Sequence, residues 1–299
     1  MIIQTENLHK RYGRHGALKG LNLAVPEGSA YALIGANGAG KTTTIKLLMN
    51  MIAPSEGSAM ILGQDSRAMS PALLAQIGYV SENQELPGYM TVAGYLDYLR
   101  PFYPNWDRAL ETETLRGLHL PPDRQINQLS HGMRVKMALA CALPYRRKLL
   151  VLDEPFRGLD PLARDEFIEG VLNQAGEMTI LISSHELAEV DSFATDVGFV
   201  DEGRLLFEES LETLQARLRA VRLVLDREAA VPARPPETWL DLKAGGNVLS
   251  FVDTHFAQEG ADGRFAALVP GVLRIDVEPV PLRAMFKSMV RAGRNRRNA

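Results

Sequence analysis

The sequence predicts an α/β fold with a parallel-rich sheet in its larger first part and a small α+β domain after it. Three observations predict it. Short, continuously apolar strands such as Lys148–Leu152 and Thr179–Ser183 alternate with stretches of helical period. The apolar strand Ala30–Ile34 runs into a glycine-rich turn and then a helical stretch, Thr42–Met51. Past about Arg219 the composition shifts, with a linker-like, proline-rich run at Pro232–Pro236.

Each element has its own local signal. Ile2–Leu8, Leu18–Val25 and Ser29–Ile34 read as strands, broken by Tyr12-Gly13 and Pro26-Glu27-Gly28. Gly78–Ser81 reads as a short buried strand. Val92–Tyr103 and Trp106–Leu118 carry apolar residues at spacings of three and four, the helical period, until Pro121-Pro122 interrupts. Gly132–Leu143 is a helix opened by Ser130 as N-cap and closed near Pro144. Arg164–Gln174 and Glu186–Phe193 read as helices, and Val197–Asp201 with Arg204–Phe207 as a hairpin around Glu202-Gly203. Beyond these, Val248–Asp253 and Val272–Val277 alternate as strands and Leu282–Val290 reads as a helix. The division expected is one domain at 1–210 and an accessory domain at 211–299.

Composition narrows the function. A chain of 299 residues that is 46% hydrophobic can bury a sizeable core. A net charge of −3 argues against a surface built to seek nucleic acid. The single cysteine, Cys141, allows no internal disulfide, which fits a reducing compartment. The N-terminus lacks the basic start and apolar run of a signal peptide. No apolar run reaches the ~20 residues that span a bilayer. Work at a membrane would need a partner to supply the span.

Two elements carry chemistry. Gly35-Ala36-Asn37-Gly38-Ala39-Gly40-Lys41-Thr42 fits the phosphate-loop pattern. Its glycines let backbone amides wrap phosphate oxygens, and the helix that follows, from Thr42 and Thr43, points its positive end at the same anion. Lys41 offers a cation to the β and γ phosphates, and Thr42 a hydroxyl to Mg²⁺. The second element is the strand ending at Asp153-Glu154. Asp153 can hold Mg²⁺, and Glu154 can polarise an attacking water. An apolar strand ending in Asp-Glu is weak alone and gains force beside a phosphate loop.

A third element names a family. Leu129-Ser130-His131-Gly132-Met133 resembles the LSGGQ signature of ATP-binding-cassette (ABC) ATPases. The resemblance runs from Met1 to about Ser210. It takes in Tyr12 at the adenine-stacking position, Gly158-Leu159-Asp160 at the D-loop and His185 at the switch histidine. It implies a P-loop NTPase fold: a RecA-like core with an antiparallel β subdomain and a helical subdomain at about 84–145. It also implies that Ser130 and Gly132 meet the γ-phosphate held by another subunit, and that Asp160 links the two. On bare chemistry, Ser130 and Asp160 also serve as plain helix caps. The resemblance implies ATP and Mg²⁺ as ligands, a second ATP-binding subunit (the same chain) and a separate transmembrane permease. That places the chain at the cytoplasmic face of the membrane, with no nucleic acid as partner.

The chain departs from the family pattern at several positions. Glu82 stands where the Q-loop carries glutamine, and is assigned its catalytic and metal-binding role. Gln84 is displaced by two residues. His131 and Met133 replace glycine and glutamine, and Phe156-Arg157 replaces Thr-Ser. The Q-loop glutamate, the segment Phe102–Trp106 and the C-terminal extension resemble exporter-type subunits. Asn83–Met90 is then the expected surface for the permease's coupling helix, and the end segment from Val280 through Leu282 to Phe286 resembles a closing helix of such subunits. The alternative is a soluble ABC-type ATPase remodelling a ribosome, nucleic acid or protein complex. Its foothold is the cationic run Lys287, Arg291, Arg294, Arg296 and Arg297.

Overall fold

The computed structural model describes residues 1–290 apart from 83, 174, 175, 177, 187, 188, 190, 258, 259, 282 and 283. Asn83, Leu282 and the arginines at 291, 294, 296 and 297 therefore lie outside the described residues, as do three residues of the helix expected at 186–193. The chain divides into two compact units, Met1–Glu208 and Glu209–Ala299.

The first unit is built on a six-stranded sheet. Its strand order is Arg204–Ser210, Asp196–Asp201, Ala30–Ile34, Thr179–Ser184, Leu149–Asp153, Ile77–Ser81. Every pairing from Asp196–Asp201 to Ile77–Ser81 is parallel. The central strands are buried throughout and mostly apolar, because helices cover a parallel sheet on both faces. Parallel alignment also gathers their C-terminal ends at one edge, where ligands bind in open α/β sheets. A second sheet is antiparallel and contains His15–Leu21, Ile3–Tyr12, Ala24–Val25, Glu56–Ile61 and Gln64–Asp65. The first strand runs past its expected end at Leu8 to Tyr12, where the expected break falls, because His15–Leu21 pairs back along it as a hairpin.

Helices Val92–Leu99, Arg108–Gly117, His131–Ala142 and Pro161–Leu172 each begin on a side chain that caps them: Thr91, Asp107, Ser130 and Asp160. The helix expected to reach Tyr103 ends at Leu99, and Pro101 sits in the short 3-10 turn that follows. Among the described residues no helix is long and apolar enough to cross a membrane.

The second unit is a four-stranded antiparallel sheet ordered Trp239–Gly245, Val248–Asp253, Arg219–Leu225, Val272–Pro279, with helix Ala261–Leu268. Leu223, Phe251 and Phe265 are among its buried core. Pro232–Pro236, expected as linker-like, lies within this unit between two strands of its sheet.

Candidate active site

The phosphate loop is a turn whose shape only glycine tolerates at two positions. Gly38 has φ 80° and Gly40 φ 114°. A Cβ on Gly40 would sit 2.7 Å from Leu18 Cδ2 and 3.0 Å from the Ala17 carbonyl. The loop delivers the chain to helix Lys41–Leu48, whose N-terminal amides face the turn. Lys41 is 4% exposed. Its ammonium donates to the Gly35 carbonyl at 2.6 Å and the Ala36 carbonyl at 3.2 Å, and pairs with Glu154 Oε1 at 2.9 Å. A buried cation held by three oxygens is a built feature, since burial without partners is costly.

Strand Leu149–Asp153 brings two carboxylates to the same place. Asp153 Oδ1 accepts from Thr42 Oγ1 at 3.1 Å and from Ser183 Oγ at 2.7 Å. Burial pushes the Asp153 carboxyl pKa upward; the Ser183 and Thr42 hydrogen bonds oppose that, and the Glu154 charge adds to it. Glu154 takes a left-handed backbone, φ 50°, an uncommon conformation for a side-chain-bearing residue. Its amide donates to Ser183 Oγ at 3.0 Å, which holds the turn. Its carboxylate lies between Lys41 and His185, whose Nδ1 is 2.7 Å from Oε2. Glu82 sits at the end of strand Ile77–Ser81, and its Oε2 accepts from Arg157 Nη1 at 3.1 Å. Gln84, two residues on, reaches back to the Ser81 amide at 3.4 Å.

Beside them lies a cavity of about 580 Å³, whose wall includes Tyr12, Asn37, Gly38, Ala39, Gly40, Lys41, Thr42, Thr43, Glu82, Asp153 and Glu154. His185 is not on that wall and meets the site through Glu154. Tyr12 is 49% exposed, with Lys10 Nζ 5.1 Å from its ring centre. Ser130, Gly132 and Asp160 are elsewhere. They line a second cavity of about 360 Å³ that shares no residue with the first. There Ser130 Oγ accepts from the Met133 amide at 3.2 Å, and Asp160 Oδ1 from the Ala163 amide at 2.9 Å.

The donor set fits a magnesium nucleotide. A hydroxyl and a carboxylate, Thr42 and Asp153, are hard oxygen ligands already in contact. Among the described residues no group of three or more His, Cys, Asp or Glu could hold a metal, so a cation here would share its shell with phosphate oxygens. Sequence reasoning missed two members of the site. Ser183 looked like one more residue of a strand; its role arises from the parallel register that sets it beside Asp153. Arg157 stands out in the sequence only as a departure from the family pattern, and it lines the first cavity.

Such an edge, with a lysine-bearing glycine turn facing a strand-end carboxylate pair, defines a P-loop ATPase. The ABC transporter family profile matches residues 18–157. The chain is 34% identical over 226 residues to the bacitracin transport ATP-binding protein BcrA of Enterococcus faecalis, covering 73% of this chain and 72% of the relative. It is 35% identical over 216 residues to the lantibiotic transport ATP-binding protein SrtF of Streptococcus pyogenes, covering 71% and 92%. A bacterial Atm1-family ABC exporter solved with ATP bound superposes with TM-score 0.63 at 26% identity, over 72% of this chain and 39% of that one. The chain belongs to the ABC transporter family, as an ATP-binding, ATP-hydrolysing subunit that powers a transporter.

Proposed function

We propose that this chain powers an exporter by closing, head to tail, on a second copy around two ATP molecules. The observation that carries the reading is the separation of the two cavities: one holds the phosphate loop and both catalytic carboxylates, the other Ser130, Gly132 and Asp160. One subunit thus carries two halves of different sites, and a two-fold pairing completes both. Export is supported by the likeness to an ABC exporter and to bacitracin and lantibiotic transport ATP-binding proteins. A separate permease supplies the membrane span and places the chain at the cytoplasmic face.

Tyr12 stacks on adenine, and the amides from Asn37 to Thr43 wrap the phosphates. Lys41 turns from its carbonyl and Glu154 partners to the β and γ phosphates. Thr42 and Asp153 would hold Mg²⁺, which would neutralise phosphate charge, with Glu82 at the same wall. Glu154 takes the proton of the attacking water, and His185 orients Glu154 and reaches the γ-phosphate. Ser130 and Gly132 of the second subunit close over that phosphate. The second unit supports the dimer.

Two measurements test this. The Glu154→Gln chain, with its permease present, should dimerise only with ATP and Mg²⁺; dimerisation indifferent to both counts against closure. The chain recovered from detergent-solubilised membranes should bring a multi-span protein with it. Recovery with ribosomes or DNA would sink the export reading.

A further inference from the structure

Glu82, Arg157 and His131 are far apart in sequence, and in the structure they form one chain of contacts. Arg157 Nη1 donates to Glu82 Oε2 at 3.1 Å, on the wall of the phosphate-loop cavity. The Arg157 carbonyl lies 3.1 Å from His131 Nε2. A carbonyl only accepts, so Nε2 carries the proton and donates it. His131 itself lines the second cavity, beside Ser130 and Gly132. It packs closely on this segment: a Cβ on Gly158 would sit 3.2 Å from His131 Nε2. Arg157 also follows Glu154 by one turn, its amide 3.3 Å from the Glu154 carbonyl.

We propose that Arg157 is a positioning residue that joins the two half-sites of one subunit, its guanidinium holding and neutralising Glu82 beside the ATP cavity while its backbone is held by His131 in the signature turn. The electrostatics give it a purpose. Asp153 and Glu154 already bring two carboxylates to a cavity that must accept a polyanion. Glu82 adds a third, and without a cation beside it that charge repels the triphosphate. Arg157 cancels it locally. The connection to His131 gives the signature turn a hold on the same arginine. Glu82, His131 and Arg157 are three of the positions at which the sequence departs from the family pattern, and the contacts make these three one set.

The inference rests on the ATP-binding reading above and is tested apart from it. The full chain is titrated with trinitrophenyl-ATP by fluorescence in the presence of EDTA, so that any hold of Glu82 on Mg²⁺ does not enter the comparison. Arg157→Ser should raise Kd about three- to fivefold, the scale of a partly exposed ion pair. Glu82→Gln in that background should bring Kd back near the wild-type value, whereas Glu82→Gln alone should not raise it. Arg157→Lys, which keeps the charge, should stay within about twofold of wild type. His131→Ala should raise Kd in the wild-type background and have less effect beside Arg157→Ser. A merely structural role for Arg157 would not be rescued by removing a charge at Glu82. An unchanged Kd in Arg157→Ser, or an effect that Glu82→Gln does not reverse, overturns the proposal. A wild-type chain that fails to bind the probe overturns the ATP-binding reading, and this inference with it.

Discussion

Replacing Glu154 by glutamine removes the proposed proton acceptor and little else. The side chain is 12% exposed and fixed from two sides, by Lys41 Nζ at 2.9 Å and His185 Nδ1 at 2.7 Å. Glutamine fills the same volume, and its carbonyl can still accept from one of these donors. General-base catalysis contributes about 10²–10⁴ in rate. The neighbouring carboxylate is a poor substitute, because Asp153 Oδ1 already accepts two hydroxyl protons. The loss should therefore lie in the middle of that range rather than at its foot, about 10³-fold, or about 4 kcal/mol in barrier. Binding should survive, since the lost charge faces a polyanion and Lys41 is freed from its partner. The assay is phosphate release by the chain with its permease, alongside ATP affinity of the same preparation. A fall of less than about tenfold in kcat, or loss of ATP binding together with activity, would refute the assignment of Glu154 as base.

The remaining predictions concern the metal-side carboxylate and the loop. Burial raises the pKa of Asp153 above the ordinary 3.8. The unfolded chain therefore loses this proton first as pH rises. The penalty is absent below 3.8, grows up to the raised folded value and is complete above it. Asp153→Asn should then raise the melting temperature near neutral pH and not in strong acid, while abolishing the Mg²⁺ dependence of ATP binding. Thermal melts at both pH values check the sign; a lower melting temperature at neutral pH contradicts it. Gly40→Ala puts a Cβ against Leu18 and the Ala17 carbonyl at a φ of 114°. It should cost about 1–3 kcal/mol, lowering Tm by several degrees and weakening ATP binding. Removing residues 211–299 should weaken ATP-dependent dimerisation and leave the affinity of each subunit for ATP intact, as read by sedimentation and titration.

Much of the site was legible because it is local. The phosphate loop, Lys41 and Thr42 sit in one turn, and the Asp153-Glu154 pair closes one apolar strand. What escaped depends on distant pairing. Ser183 gains its hydrogen bond to Asp153 only through the register of two parallel strands. The Glu82–Arg157 ion pair joins positions 75 apart. Strand Glu56–Ile61 opens with Glu-Gly-Ser, poor strand formers, and forms because it pairs along the first strand; a Cβ on Gly57 would collide with the Asn7 carbonyl at 2.2 Å. In the second unit, Trp239–Gly245 breaks its own alternation. Asp241 takes a φ of 49°, and the pairing shifts register between Leu240 and Lys243. A bulge of that kind hides a strand from any period-two pattern.

The central claim is that each active site takes its phosphate loop from one subunit and its signature from the other. Lys41→Ala disables the loop, and Ser130→Arg blocks the signature, so each variant alone should hydrolyse almost no ATP. Mixed in equal amounts, about half of the dimers combine the two, and each of these has one intact site out of two. Activity of the mixture, measured with the permease present, should return to about a quarter of wild type. A mixture as inactive as its components would contradict the account.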